Sequence, residues 1–154
     1  MITVHHLGIS QSERIVWLCE ELGLPYELKR YERDAQTRLA PAEYKALHPI
    51  GTSPIISDGE LVLPESGAII EYILRKYANG RLIVGPEHPE FANYVFWFHF
   101  ANGSMMPNLM LPMVLAMIGA KAEGPIAESV LARGTKAMQV IEQRLGEAPY
   151  FAGK

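Results

Sequence analysis

The first thirty residues constrain the fold most, because they hold a strand, a helix and a second strand with almost no connecting sequence. Ile2 to His6 alternates and carries β-branched residues, the signature of a short strand. Ser10-Gln11-Ser12-Glu13 matches the S-x-x-E capping box, with Ser10 as N-cap, just ahead of an apolar-periodic segment. Ile15, Leu18, Cys19 and Leu22 recur at helical spacing, and Gly23 followed by Pro25 closes that helix. Tyr26 to Arg30 reads as the second strand. Joints this short make a βαβ unit, whose two strands run parallel.

The pattern beyond this unit extends the sheet and then abandons it. A polar stretch from Glu32 to Leu39 leads to a short helix opening at Pro41 and ending before His48-Pro49. Pro54 to Ser57 and Leu61 to Leu63 flank Asp58-Gly59, a hairpin signal. Pro64-Glu65-Ser66 starts a helix with Ile69, Ile70, Ile73, Leu74 and Tyr77 on one face, stopping at Asn79-Gly80. Residues 1–80 therefore read as an α/β domain of order βαβαββα, residues 81–88 as a linker, and residues 89–154 as all-helical. In the helical part, Phe91 to Met117 is one helix or two broken near Pro107 and Pro112, and Gly124-Pro125 starts the last helix, running to about Leu145.

Composition narrows the function classes. Lys and Arg total 14 against 17 Asp and Glu, a net charge of −3 with no basic stripe, which argues against nucleic-acid or anionic-membrane binding. At 49% hydrophobic residues the chain has material for a core. Its most apolar stretch, Leu109 to Ala120, is interrupted by Pro112 and too short for a membrane span, so a soluble protein is expected. The single Cys19 excludes an intramolecular disulfide and any multi-cysteine metal site, and fits a cytoplasmic setting. No His pair at i, i+4 and no glycine-rich phosphate loop is present, so neither a metal site nor a nucleotide cofactor is expected.

Three motifs in a fixed order carry a resemblance. Trp17-Leu18-Cys19-Glu20-Glu21-Leu22-Gly23, His48-Pro49-Ile50-Gly51-Thr52-Ser53-Pro54 and Leu63-Pro64-Glu65-Ser66-Gly67-Ala68-Ile69 together resemble a cytosolic-type glutathione transferase. Tyr31-Glu32-Arg33-Asp34-Ala35 is similar to a fungal and bacterial branch of it. The resemblance spans essentially the whole chain and implies a thioredoxin-like domain followed by a helical one.

It also implies roles for particular residues. Pro54 would be cis at a strand start, exposing the backbone of Ser53 so that the cysteinyl backbone of glutathione pairs with it like an added strand. Thr52, one residue earlier, would assist. At the start of the next helix, Ser66 and the unpaired N–H groups would take the γ-glutamyl carboxylate, and Glu65 its ammonium. Capping alone would also favour such residues there. For the thiol, a hydroxyl after the first strand would stabilise the nucleophilic thiolate. Ser10 is the candidate; Ser12 and a backbone N–H are the alternatives, since the hydroxyl of better-known classes falls nearer Ile9. Cys19, inside the helix, reads as a buried filler.

The resemblance assigns the helical half to a pocket for a small apolar electrophile and to a homodimer contact. Met106, Met110, Met113 and Met117 form one helical stripe, which as easily packs a bundle core. The chain ends at Tyr150-Phe151-Ala152-Gly153-Lys154, where the family continues into a capped core helix, so a longer native product is expected. The activity implied is conjugation of glutathione, as co-substrate, to an electrophile. A glutathione-dependent disulfide reductase or peroxidase, and a non-catalytic module of the same fold, are the alternatives.

Overall fold

The computed structural model describes residues 1–152, which form two compact units, one from Met1 to Ile83 and one from Val84 onward. In the first unit β1 (Ile2–Leu7), α1 (Ser12–Leu22) and β2 (Tyr26–Tyr31) build the expected βαβ. A short α2 (Ala42–Lys45) leads to β3 (Ile55–Asp58), β4 (Leu61–Pro64) and α3 (Ser66–Tyr77). The sheet order is β2-β1-β3-β4. β1 runs parallel to β2 from Ile2↔Tyr26 to Leu7↔Tyr31, and antiparallel to β3 from Ile2↔Asp58 to His5↔Ile55. The β3–β4 hairpin pairs Asp58 with Leu61, so its loop is Gly59-Glu60, and Gly59 supplies the positive φ of +61° that the turn needs. This is the thioredoxin-like topology, with the parallel β1–β2 pair made by a helical crossover and the antiparallel β3–β4 pair by a tight turn.

One face of the sheet carries the main core. Ile2, Val4 and Ile56 meet Ile15 and Cys19 of α1 and Ile69 and Ile73 of α3, each at most 1% exposed. A second cluster, Leu7, Tyr31, Tyr44 and Ile55, sits around α2. Cys19 is the expected filler, and burial pushes its thiol up to about 11, which keeps it protonated and unreactive. Asp58, at the end of β3, is tied to α3: Lys76 Nζ donates at 2.8 Å, Tyr77 Oη donates, and Tyr72 Oη donates at 2.7 Å. These donors hold its carboxyl well below the usual range.

The second unit contains α4 (Phe91–Phe100), a π-helical turn (Ala101–Met105), α5 (Met106–Met117) and α6 (Pro125–Glu147). The break thus falls at Ala101–Met105, earlier than the prolines suggested. Pro107 lies in the first turn of α5, where no N–H is needed, and Pro112 is accommodated inside α5. Pro112 has no N–H to offer the carbonyl of Asn108 four residues back, and that carbonyl faces Gly134 of α6. A Cβ on Gly134 would lie 3.1 Å from the Asn108 oxygen, so glycine allows the two helices to approach there. The methionine stripe is not a core: Met110, Met113 and Met117 are exposed, Met117 by 76%. Of the tail singled out in the sequence, Gly153 and Lys154 lie outside the described residues.

Candidate functional site

Strand register alone brings the predicted site residues to one end of the sheet. His5 of β1 pairs with Ile55, and Ile55 pairs with Pro64. The chain leaving β1 toward Ser10, the residues entering β3 at Ser53-Pro54, and those leaving β4 at Glu65-Ser66 therefore gather side by side. The Ser53–Pro54 peptide is cis, as expected.

The capping box does not form. The N-cap of α1 is Gln11, without a side-chain cap, and the Ser10 hydroxyl is turned elsewhere. Ser10 Oγ accepts from the backbone N–H of Ser12 at 3.2 Å and donates to the Leu7 carbonyl at 2.5 Å. It also lies 2.8 Å from Ser53 Oγ and 2.8 Å from Ser12 Oγ. Ser12 Oγ in turn meets His6 Nδ1 at 2.9 Å. A line of hydroxyls, Ser53–Ser10–Ser12, thus runs from the cis-proline loop inward to His6.

Position in that line separates the two serine candidates. Ser12 is fully buried, its oxygen enclosed by Ser10, His6 and Leu7. Ser10 is only half-buried, at the end nearer Ser53. A hydroxyl has one proton, and the short contact gives that of Ser10 to the Leu7 carbonyl. An anionic atom beside it would be a stronger acceptor than that carbonyl and would compete for the same proton. Ile9, 77% exposed, has no side-chain donor to offer, and sits at φ +53°, a left-handed conformation that costs a β-branched residue on the order of 1–2 kcal/mol.

At the other side of the site, Ser66 opens α3 and is 2% exposed. Glu65 precedes it as N-cap at φ +72°, ψ +116°, a strained conformation, with its side chain exposed. Thr52 is exposed on the loop before Ser53 and, among the described residues, joins no hydrogen bond of the hydroxyl line. Tyr44, buried beside β1, directs its hydroxyl to the His5 carbonyl at 3.4 Å, and burial raises its phenol so that it stays protonated.

Gln11 is a residue that sequence reasoning passed over. Its Oε1 accepts from Ser66 Oγ at 3.3 Å, so one side chain ties the start of α1 to the start of α3 across 55 residues. The only sequence signal was its place between two hydroxyls at a helix start. Together the site offers a hydroxyl beside a strand-like backbone edge, and a helix N-terminus one residue away from it along Gln11. That arrangement suits an extended, peptide-like ligand carrying an anionic group. Among the described residues no three His, Cys, Asp or Glu side chains gather as metal ligands.

A thioredoxin-like domain carrying this site, followed by helices, is the architecture of the glutathione transferases, and comparison with known proteins agrees. Residues 1–75 match the family described as glutathione S-transferase, N-terminal domain. The chain is 35% identical to glutathione S-transferase 3 of Schizosaccharomyces pombe, covering 100% of this chain and 68% of that protein. It is 36% identical to glutathione S-transferase 1 of Saccharomyces cerevisiae, over 86% of this chain and 58% of the relative. A crystal structure of a glutathione S-transferase from Actinobacillus pleuropneumoniae superposes with a TM-score of 0.88 at 37% identity, covering 100% of this chain and 70% of that one. The fold also matches that of glutathione transferase URE2P6 from Phanerochaete chrysosporium, solved with oxidised glutathione, with a TM-score of 0.76 at 23% identity, over 99% of this chain and 71% of that one. The chain belongs to the glutathione S-transferase family.

Proposed function

We propose that this protein is a glutathione transferase that activates the thiol of glutathione for attack on a small apolar electrophile. The observation that carries the reading is the 2.8 Å contact between Ser10 Oγ and Ser53 Oγ at the cis-proline loop, which sets a hydroxyl donor beside the backbone edge that would hold the cysteinyl residue. Glutathione would lie extended against Ser53 and Pro54, with Thr52 at the loop's outer side. Its γ-glutamyl carboxylate would sit on Ser66 and the α3 N-terminus, and its ammonium on Glu65.

With the peptide anchored at both ends, the sulfur falls beside Ser10. The hydroxyl proton of Ser10 turns from the Leu7 carbonyl to the sulfur, and the thiol proton leaves to solvent. The thiolate then displaces a leaving group from, or adds to, an electrophilic carbon. Positioning and stabilisation of the thiolate supply the rate enhancement, and no prosthetic group enters the reaction. Assembly as a homodimer and a cytoplasmic location complete the reading. They are supported by the exposed apolar side chains of the helical unit and the one reduced thiol.

Isothermal titration with glutathione tests the assignment. Saturable binding is expected, and Ser66→Ala should weaken it by about tenfold, the cost of one hydrogen bond to a charged group. Unchanged affinity in that variant would remove Ser66 from the γ-glutamyl site.

A further inference from the structure

The Arg33-Asp34 pair, noted in the sequence only for its resemblance, lies at the same end of the sheet as the hydroxyl site. Leu7 of β1 pairs with Tyr31 of β2, so the residues following each strand run on together. Arg33 uses two edges of its guanidinium there. Its Nε donates to the Gly8 carbonyl at 2.8 Å and its Nη2 to the Ile9 carbonyl at 3.1 Å. Its Nη1 donates to the Arg38 carbonyl at 2.9 Å. One planar fork therefore clamps two successive carbonyls of the segment that ends in Ser10, and braces them against the loop that follows β2.

That loop is itself shaped for the task. Asp34 Oδ1 accepts from Thr37 N at 2.7 Å, Thr37 Oγ1 at 2.8 Å and Gln36 N at 3.1 Å. The Asp34 N–H closes the loop on the Leu39 carbonyl at 3.0 Å. These bonds hold the carboxylate below its usual range and keep Arg38 where Arg33 can reach its carbonyl. Among the described residues no carboxylate lies within ion-pair distance of Arg33, so its donors are committed to backbone oxygens.

We propose that Arg33 is a positioning residue for thiol activation, holding Gly8 and Ile9 in the turn that aims Ser10 at the sulfur. This rests on the reading of Ser10 as the activating hydroxyl. Ile9 needs such a clamp: a β-branched residue at φ +53° does not keep that conformation unaided. A guanidinium can hold two adjacent carbonyls because its donors are coplanar and fixed; an ammonium of equal charge cannot reproduce the geometry. The proposal is thus about the shape of the donor and not about its charge.

The test uses the full chain with Arg33→Lys and Arg33→Gln, and two readouts. The first is thiolate absorbance of bound glutathione across pH; the second is the dissociation constant of S-methylglutathione, which has no thiol to ionise. Both variants should lower the bound thiolate fraction at neutral pH by about tenfold, the loss expected when a hydrogen bond to a charged group is misdirected. Affinity for S-methylglutathione should stay within about twofold, because the γ-glutamyl contacts are untouched. Adding Ile9→Gly to Arg33→Gln should restore part of the thiolate, since glycine adopts positive φ without a clamp.

Full thiolate formation in Arg33→Lys would overturn the proposal in favour of charge alone. Full formation in Arg33→Gln would overturn it outright. So would equal losses in thiolate and in S-methylglutathione affinity, the mark of a general structural role. Ser10→Ala is measured alongside: if it leaves the thiolate intact, the reading beneath the proposal fails, and if it abolishes the thiolate while the Arg33 variants do not, only the proposal fails.

Discussion

The two units treat similar apolar content in opposite ways. In the first, the isoleucines of β1, α1, β3 and α3 are enclosed on one face of the sheet: Ile2, Ile15, Ile56, Ile69 and Ile73 are at most 1% exposed. In the second, Phe96 is 50% exposed, Met113 51%, Met117 76% and Ile126 83%, and among the described residues Ala137 alone has a buried side chain. A layered sheet gives each strand residue a fixed face, so period-two and helical patterns translate directly into burial. A helix rich in apolar residues on all sides has no such assignment, and its hydrophobicity says little about which side chains become core.

The contrast is testable by truncation, with the largest effect expected in the first unit. Ile69→Ala should destabilise by about 4 kcal/mol in urea unfolding, as removal of a fully buried side chain does, whereas Met113→Ala should stay within about 0.5 kcal/mol. Comparable losses at the two sites would erase the distinction.

Asp58→Ala sharpens it at the end of β3. Loss of the carboxylate that receives Lys76, Tyr77 and Tyr72 should cost about 2 kcal/mol near neutral pH. Because the folded carboxyl titrates below its unfolded value, this stability is complete above about pH 4 and fades as pH falls toward the folded value. Unfolding midpoints measured across that range should converge for wild type and variant at the acid end.

A smaller loss than at Asp58 is expected in the second unit, where α5 and α6 approach at Gly134. Gly134→Ala gains helix propensity, yet its methyl would press at 3.1 Å on the Asn108 carbonyl that Pro112 leaves exposed. A net loss of about 1 kcal/mol is expected. A gain of that size would mean α5 and α6 shift apart freely.

Much of the first unit was legible because its signals are local. Ile2 to His6, Gly23-Pro25 and Asp58-Gly59 each state an element within a few residues, and the parallel pairing follows from joints too short for anything else. The site was less legible. Ser10 meets Ser53 across 43 residues and Ser66 meets Gln11 across 55, separations over which spacing carries no signal. Ser10, Ser53 and Ser66 were found through family resemblance, whereas Gln11, a spacer position in the quoted capping box, was missed. Reading Ser10 as a capping residue failed because nearby tertiary partners, Leu7 and Ser53, took its hydroxyl. In the helical half the prolines placed the irregularity too late: Pro107 stands in the first turn of α5, where no N–H is required, and the backbone departs from α geometry just before it, in the π turn Ala101–Met105.

The most direct test of the account is the ultraviolet thiolate titration of bound glutathione in wild type and Ser10→Ala. The account predicts thiolate formation near neutral pH in the wild type, and a shift to higher pH by about one unit or more when the hydroxyl is removed, with glutathione still bound. Coincident titration curves for the two proteins, or glutathione bound as the neutral thiol in both, would contradict it.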